Sequence, residues 1–444
     1  MKRISILACI LGVCFVSKAW AQQTRNLPTV NKHAIPSHRI WEAVQKHAKS
    51  SSHPMLSQRD AVAANTKVWE LGNYSDETGS GTWAELHSVN DYGVAVGWGD
   101  VPSGDTQMVG VPIFGPAAGI WFASGVSSNE IWADEGGGIA NTGLVVGSIL
   151  GANGDAQAYA SIPGQPGGID LGTLGGDSGS VALAVNNSGT LIVGGSYHWL
   201  TQDSMWLAPV AWTPKLEWHN GQPSVTWVMH QLPTGGLEKS GRVFKGVILN
   251  NWGAYGVNDL GQIVGDAWSD NYDEIAVVWN PVAGGQGWKV QQLPHRSSYP
   301  IVANHKYTEA LSINNRGAIA GDINLGTGWC DSNDVCTDLP ALWKPATSDS
   351  LTWKLTELAT LSGTETGWNT AWSINQNGDI VGVSNDANGN WLATHWLTRD
   401  PENPQVLGFP GDWSTAIGVN NLGIAVGTYG VGDNPEQAAA VAIH

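Results

Sequence analysis

One short phrase recurs seven times along the chain, and it constrains the fold more than any other feature of the sequence. The phrase is a small residue, two variable residues, Val or Ile, Asn, two variable residues and Gly, followed by a β-branched run. In the second copy the Asn, Asn141, stands one place late. Asn and Gly tolerate the positive φ that a tight turn between two strands needs, so each copy predicts a β-hairpin. The glycines that close the copies are Gly93, Gly143, Gly189, Gly261, Gly317, Gly378 and Gly423.

Two further strand-like elements follow most copies of the phrase. A third element ends in Trp and occupies residues 118–121, 209–212, 276–279, 341–343 and 393–396. A fourth element carries Leu and occupies residues 169–171, 228–232, 290–293, 353–358 and 405–407. Four strands in each of seven units predict an all-β fold, a seven-bladed β-propeller.

The two ends of the repeat region predict how the ring closes. The seventh unit stops after its third element, at residues 438–443, and the missing fourth element stands before the first unit, at residues 67–72. An N-terminal strand that completes the last blade leaves no exposed sheet edge there. This arrangement makes residues 67–444 one propeller domain, with the Asn-bearing strand innermost in each blade and the strand at 67–71 outermost.

Composition agrees with this fold and limits the partners. The 444 residues include 57 Gly and 24 Trp but only 5 Phe and 5 Met, a profile that suits short strands, glycine turns and large buried rings rather than a helical bundle. The formal net charge is −17. A surface that binds nucleic acid needs clustered Lys and Arg, so the charge argues against a nucleic-acid partner.

The first 66 residues have a different character. Lys2 and Arg3 precede an apolar run at residues 4–16, and Ala19 and Ala21 bracket Trp20 in the pattern of a signal peptide cleaved after Ala21. We therefore expect a secreted or periplasmic protein without a transmembrane segment. Residues 22–66 hold six Lys or Arg against two acids and include a short predicted helix at 37–47. We interpret this segment as a solvated basic arm on the acidic body, with anchoring to anionic envelope polymers as the alternative.

Two cysteines remain once the predicted signal peptide is removed. Cys330 and Cys336 are separated by five intervening residues, whereas Cys9 and Cys14 lie within the signal peptide. In an oxidising compartment such a pair most simply forms one local disulfide, and a metal site is the alternative.

Several segments resemble a known repeat. Residues 170–176 read Asp-Leu-Gly-Thr-Leu-Gly-Gly and are followed by the repeat phrase at 182–189 and by Ile-Val-Gly at 192–194; residues 358–363 have a similar pattern. Together they resemble the bacterial extracellular HAF repeat, whose third strand is matched loosely at 157–159 and 341–343. The resemblance covers residues 67–443. It implies an exported propeller and transfers no catalytic residue.

An aromatic residue precedes the Asn in six of the units by six to nine positions. In the predicted strand order, loops that enter the inner strands share one face with the loops that join the second and third strands. A ring of aromatic side chains at the channel mouth is therefore expected, and flat aromatic faces beside amides and carboxylates suit sugar rings. The alternative is that these rings pack between blades, as we expect for the third-strand Trp residues. The six candidates are Trp83, Trp132, Trp252, Tyr307, Trp368 and Trp413.

Catalytic candidates come from one titratable cluster and one unusual slot. His305 and Tyr307 stand near Lys306 before the fifth unit, where a base and a cation suit proton abstraction α to a uronate carboxylate. His87 occupies a position that is Leu, Tyr, Trp or Ile in five other units. A buried, satisfied histidine is the alternative for His87.

Two acidic loops are further metal candidates. Asp266, Asp270 and Asp273 lie close together in the fourth unit, and Asp331 and Asp334 lie between the two cysteines. Oxygen-rich clusters favour Ca²⁺, whereas the alternative is that both are solvated loops.

These observations lead to one functional hypothesis and two rivals. We expect a monomeric, exported, non-catalytic module that binds carbohydrate or an envelope polymer on its aromatic-rich loop face. The first rival is a polysaccharide lyase or glycoside hydrolase that uses the same face. The second is a protein-interaction platform in which the aromatic residues belong to the core.

Overall fold

The computed structural model describes most of the repeat region. The described residues are 58–60, 67–72, 83–100, 106–114, 118–119, 122–123, 137–150, 154–161, 168–201, 204–219, 222–234, 251–268, 274–283, 287–295, 308–324, 338–347, 351–431 and 437–443. The predicted signal peptide, the predicted helix at 37–47 and the two cysteines Cys330 and Cys336 lie outside them.

Strands account for all the regular structure in these ranges. They are β1 (Gln58–Asp60), β2 (Lys67–Gly72), β3 (Ala84–Val89), β4 (Val94–Asp100), β5 (Thr106–Pro112), β6 (Phe122–Ala123), β7 (Gly138–Ile139), β8 (Val145–Leu150), β9 (Ala156–Ser161), β10 (Ile169–Asp170), β11 (Gly179–Val185), β12 (Ile192–Thr201), β13 (Ser204–His219), β14 (Gln222–Gln231), β15 (Asn251–Val257), β16 (Ile263–Trp268), β17 (Glu274–Pro281), β18 (Trp288–Gln292), β19 (Thr308–Ile313), β20 (Ile319–Asn324), β21 (Asp338–Pro345), β22 (Trp353–Glu357), β23 (Thr370–Ile374), β24 (Asp379–Asn385), β25 (Trp391–Leu397), β26 (Asp400–Val406), β27 (Trp413–Val419), β28 (Ile424–Gly430) and β29 (Gln437–Ala442).

The strands form seven antiparallel sheets, which confirms the seven-bladed propeller. Blades 1 to 6 are β3–β6, β7–β10, β11–β14, β15–β18, β19–β22 and β23–β26, each in sequence order. Blade 7 has the order β27-β28-β29-β2-β1. The first strands of neighbouring blades contact one another around the ring, including β27 with β3, so the Asn-bearing strand is innermost as predicted.

The N-terminal closure is also confirmed, with one addition. Strand β2 pairs with β29, for example Val68 with Val441, and so completes blade 7. Strand β1 then pairs with β2 on its outer side, with Gln58 opposite Trp69. The segment predicted as a basic arm therefore contributes a fifth strand, and β1 instead of β2 is outermost in this blade.

Blade 1 corrects one predicted strand. Its third strand is β5, in which Pro112 pairs with Val94, and not residues 118–121. Ala118 and Gly119 form a turn after β5. The prediction located each third strand by the Trp at its end. Strand β5 carries no Trp, so the prediction used the next Trp along the chain, Trp121, and placed the strand too late in the sequence.

The hairpin phrase does more than turn the chain. Each of the seven phrase glycines has a positive φ, for example 72° at Gly93. The Asn90 side-chain oxygen accepts hydrogen bonds from Tyr92 N and Val94 N, at 3.1 and 3.0 Å, as expected of a turn former. Its amide nitrogen also donates to Ala140 O in the next blade, at 3.2 Å. The turn residues therefore join neighbouring blades.

These inter-blade hydrogen bonds close the ring. The side-chain amides of Asn258, Asn314 and Asn375 each donate to the carbonyl oxygen of the Asn in the following blade, at 2.9 Å. Asn420 donates in the same way to Asn90 O, at 2.9 Å, across 330 positions of sequence. Buried amides satisfied in this way fix the blades against one another.

Four third-strand Trp residues form a second inter-blade contact. Each indole is fully buried, and its N–H donates to a carbonyl just after the fourth strand of the preceding blade. The predicted core role of these four rings is confirmed, whereas the fifth ring predicted in this way, Trp121, lies outside the described residues. The pairs are Trp212 with Leu171 O, Trp279 with Pro233 O, Trp343 with Pro294 O and Trp396 with Ala359 O, at 2.7 to 2.8 Å.

Candidate functional site

The loops that enter the inner strands meet the hairpins between the second and third strands on one face of the disc. In blade 3, Ser178 N donates to Tyr197 O at 2.7 Å, and in blade 7, Asp412 N donates to Gly430 O at 2.8 Å. In blade 6, Asn385 N donates to the side-chain oxygen of Asn369 at 3.0 Å. We call this side the loop face and the opposite side, which carries the Asn hairpins, the turn face.

The six predicted aromatic residues do not behave alike. Trp83 is half-buried against a cluster that contains Trp98. Trp413 is half-buried and covers Gly430, where a Cβ would overlap the indole. Trp132 and Tyr307 lie outside the described residues.

Trp252 departs from the expectation. Its side chain is 2 % exposed, and its ring centroid lies 6.2 Å from that of Trp279 in the core. Trp252 stands six positions before the Asn of its repeat. Four of the other candidates stand seven positions before theirs: Trp83, Tyr307, Trp368 and Trp413. Successive side chains of a strand point to opposite faces, so a shift of one residue turns the ring into the core.

Trp368 belongs to a chain of three indoles that runs from the surface to the channel. Trp391, the first residue of β25, is 40 % exposed. Its ring centroid lies 5.0 Å from that of Trp368, edge to face at 77°. Trp368 in turn lies 6.3 Å from Trp372, also at 77°, and Trp372 lines the central channel. Sequence reasoning missed Trp391; the polar Asn-Gly-Asn turn directly before it is the pattern that marks it as a loop-face residue.

Polar groups surround the exposed ring. Asp386 is half-buried and accepts hydrogen bonds from the main-chain N–H groups of Asn388 and Asn390, at 2.8 and 2.9 Å, and both Asn residues are exposed. On the adjoining loop, the Thr364 hydroxyl lies 2.8 Å from that of Ser362. We define Trp368, Trp391, Asp386, Asn388 and Asn390 as the blade 6 platform.

The channel holds two connected compartments. The one nearer the loop face has a volume of about 240 Å³ and a mostly apolar wall. We call the position of Asn90 and its equivalents in the other blades the Asn slot; in blade 2 this position is Ala140. The wall of the compartment includes the residue three positions before the Asn slot of each blade. In six blades this residue lies at a β-bulge, which turns its side chain out of the ladder. The residues in this position are His87, Gly137, Leu183, Tyr255, Leu311, Trp372 and Ile417.

The second compartment, at the turn face, has a volume of about 130 Å³ and an almost entirely polar wall. It shares His87 and Ser88 with the first compartment and adds the residues that follow the Asn slots. Two of these are carboxylates: Asp91 accepts from Asn421 N at 2.9 Å, and Asp259 accepts from Ser188 N at 2.9 Å. The others on this wall are Asn187, Asn315, Gln376 and Asn421.

His87 lies in the channel wall beside a carboxylate. Its Nε2 is 2.8 Å from Glu85 Oε1, and the two side chains are 7 % and 5 % exposed. The other two catalytic candidates, His305 and Tyr307, lie outside the described residues, so the lyase or hydrolase reading stays a prediction.

Buried carboxyl groups of blades 4 and 5 cluster towards the loop face. Asp266, Glu309, Asp322 and Asp338 are each at most 5 % exposed. Burial, and then the charges of Asp338 and Asp266, raise the pKa of Asp322 well above 3.8, although a hydrogen bond from Thr370 opposes the shift.

The predicted calcium site has one member in the described residues. Asp266 is fully buried and accepts a hydrogen bond from the Tyr255 hydroxyl at 3.0 Å. Asp270, Asp273, Asp331 and Asp334 lie outside the described ranges. Within those ranges, no three His, Cys, Asp or Glu side chains are grouped so that they could hold a metal ion.

The raised pKa of Asp322 predicts how stability changes with pH. A carboxyl group whose pKa is higher in the folded state stabilises the fold below its unfolded value of 3.8, and that contribution is lost as the pH rises through the folded value. We expect Asp322→Asn, which keeps an acceptor for Thr370, to be more stable relative to the wild type at pH 8 than at pH 4. Urea unfolding at both pH values measures the difference, and a pH-independent difference would contradict the prediction.

Comparisons with known proteins add only fold-level likenesses. No family model and no curated protein matches the chain. Similar solved structures include a Trypanosoma rangeli sialidase in complex with the inhibitor DANA, 13 % identical over 69 % of this chain and 54 % of the sialidase chain, with a TM-score of 0.39. A Mycobacterium tuberculosis puromycin-hydrolyzing peptidase is 10 % identical over 81 % of this chain and 51 % of its own, with a TM-score of 0.48. A putative TolB from Agrobacterium tumefaciens is 12 % identical over 69 % of this chain and 88 % of its own, with a TM-score of 0.37.

The chain spans about half the length of the sialidase and peptidase chains that it resembles. Likenesses of this identity and TM-score carry no argument about activity or ligand. In the described ranges there is also no helix with the length and hydropathy needed to cross a bilayer.

Proposed function

We propose that this protein is an exported, non-catalytic binding module that holds carbohydrate on the blade 6 platform. The observation that supports this most is the indole chain in which Trp368 holds Trp391 from the side while 40 % of Trp391 stays exposed. A large aromatic side chain that is exposed yet held in place costs little entropy when a ligand stacks on it. Such rings provide the flat apolar surface on which the C–H face of a sugar packs.

The groups beside the ring suit the hydroxyls of a sugar. Asn388 and Asn390 each point a side-chain amide towards Asp386 Oδ2, at 3.3 and 3.0 Å, and retain a carbonyl oxygen that accepts hydrogen bonds. The Asp386 carboxylate adds acceptor capacity. A few oriented polar groups around an apolar surface are what fixes a small ligand in one orientation.

Charge favours a neutral glycan over an anionic one. The chain carries a formal net charge of −17, and the platform itself includes the Asp386 carboxylate. A polyanion would be repelled unless a cation such as Ca²⁺ bridged the two. We therefore expect the ligand to be an uncharged oligosaccharide or an envelope polymer with a neutral segment.

The rival function as a protein-interaction platform has one observation in its favour. The long hairpin of β13 and β14 carries Leu216, Trp218 and Val225, which are 59 %, 65 % and 50 % exposed. Leu216 pairs directly with Val225, so the apolar side chains are adjacent. Exposed apolar groups of this kind are common at protein interfaces.

A glycan array tests the proposed function. The protein without its predicted signal peptide is applied with and without Ca²⁺, beside Trp368→Ala/Trp391→Ala and, as control, Trp218→Ala. We expect binding to a neutral glycan that the double variant loses and the control retains. Product analysis on each bound glycan separates binding from cleavage, and an array without any bound glycan would overturn the proposal.

A further inference from the structure

The central channel combines features that the carbohydrate proposal does not use. Its apolar compartment is bordered by the rings of Trp372 and Tyr255 and by aliphatic side chains such as Leu183, Leu311 and Ile417. The volume of about 240 Å³ exceeds the roughly 150 Å³ of an engineered apolar cavity that takes up benzene. It is below the roughly 300 Å³ at which sites for drug-sized ligands begin. The space therefore suits a molecule with a single ring.

The polar compartment continues from this space and carries negative charge. Asp91 and Asp259 line it from blades 1 and 4, which lie on different sides of the ring. Among the described residues that line either compartment there is no Lys or Arg. His87 is the one basic side chain on these walls, and Glu85 stands 2.8 Å from it, so the pair adds no net positive charge.

We propose that the channel binds a small organic cation with one apolar ring. The ring lies in the apolar compartment against Trp372 and Tyr255. The cationic head points to the turn face, where Asp91 and Asp259 line the polar compartment together with Asn315, Gln376 and Asn421. This site is separate from the blade 6 platform and does not depend on carbohydrate binding.

Three probes of the same shape separate charge from apolar burial. Benzamidine carries a positive head group, benzamide a neutral one and benzoate a negative one. We expect calorimetric titration of the wild-type protein to give the order benzamidine, benzamide, benzoate, from tightest to weakest. Added salt should weaken benzamidine binding and leave benzamide unchanged, because salt screens charge and not apolar contact.

A variant that removes the two carboxylates locates the cation. Asp91→Asn/Asp259→Asn places Asn where blades 2, 3, 5 and 7 already carry it, at Asn141, Asn187, Asn315 and Asn421. We expect this variant to bind benzamidine about tenfold more weakly, which corresponds to about 1.4 kcal/mol, and benzamide equally well. Leu311→Trp, which fills the apolar compartment, should bind none of the probes, whereas Trp218→Ala, on the exposed hairpin of β13 and β14, should bind all three like the wild type.

The outcomes are distinct from those of the carbohydrate experiment. Benzamide or benzoate binding as tightly as benzamidine would overturn the cationic character of the site, and no binding by any probe would overturn the site itself. The salt series uses unaltered protein, so it decides the question even if the double Asn variant is unstable. Loss of benzamidine binding in Trp218→Ala would contradict the placement of the site in the channel.

Discussion

Replacing Gly321 with alanine should lower the free energy of unfolding by about 3 kcal/mol or more. A Cβ at Gly321 would overlap the carbonyl oxygen of Glu309 on the paired inner strand, and Ala310 Cα lies close behind. Both obstacles are backbone atoms, so the overlap is relieved only by separating β19 from β20. Overpacking that forces backbone shifts typically costs about 1–3 kcal/mol and sometimes more. Denaturant unfolding of Gly321→Ala measures the loss.

The same close approach recurs around the ring, so the effect is a property of the repeat. Added Cβ atoms would meet an inner-strand carbonyl at six second-strand glycines: Gly97, Gly194, Gly265, Gly321, Gly382 and Gly427. Gly175→Ala is the matched control, because a Cβ there meets nothing within 4 Å. We expect the control to unfold like the wild type. Equal losses in Gly321→Ala and Gly175→Ala would refute the steric explanation.

Replacing Trp343 with alanine should lower the free energy of unfolding by about 3–5 kcal/mol, the usual cost of removing a buried Trp. The indole is fully buried between blades 4 and 5, and its N–H donates to Pro294 O at 2.7 Å. Trp343→Phe keeps most of the ring but leaves that carbonyl without its donor. We expect it to cost about 1–3 kcal/mol, the penalty for an unsatisfied buried polar group.

Chemical denaturation of both variants separates packing from the hydrogen bond. Trp218→Ala serves as the control, since 65 % of this side chain is exposed and surface substitutions usually change stability by less than about 0.5 kcal/mol. An alanine variant no less stable than the phenylalanine variant would contradict the inter-blade role of the ring.

The fold was predictable because one physical requirement repeats. A tight turn between strands needs Asn and Gly, and those residues recur at Asn90, Asn258 and the equivalent positions. The closure by β2 followed from counting elements. Strand β1 was not predictable, because a three-residue strand has no period of its own and forms only when β2 offers an unpaired edge.

The candidate site was predictable only in outline. The loop face follows from the strand order. When the repeats are aligned, His87 and Trp372 occupy the same position, and this position lines the channel. The surroundings of each aromatic residue depend on packing between blades, which spacing alone does not determine. Trp252 and Trp368 differ by one position relative to their Asn residues, yet one is 2 % exposed and the other contacts Trp391 near the surface. The Asn side chains were predicted as turn formers, but their donation to the next blade depends on ring closure, which is a property of the whole molecule.

Calorimetric titration of the best array glycan into three proteins, the wild type, Trp391→Ala and Trp218→Ala, decides whether blade 6 binds carbohydrate. We expect Trp391→Ala to abolish the heat of binding and Trp218→Ala to retain the wild-type affinity. Removing the stacking ring of the platform removes its apolar contact, whereas the hairpin of β13 and β14 plays no part in sugar binding. Unchanged affinity in Trp391→Ala, or a loss confined to Trp218→Ala, would contradict carbohydrate binding on blade 6.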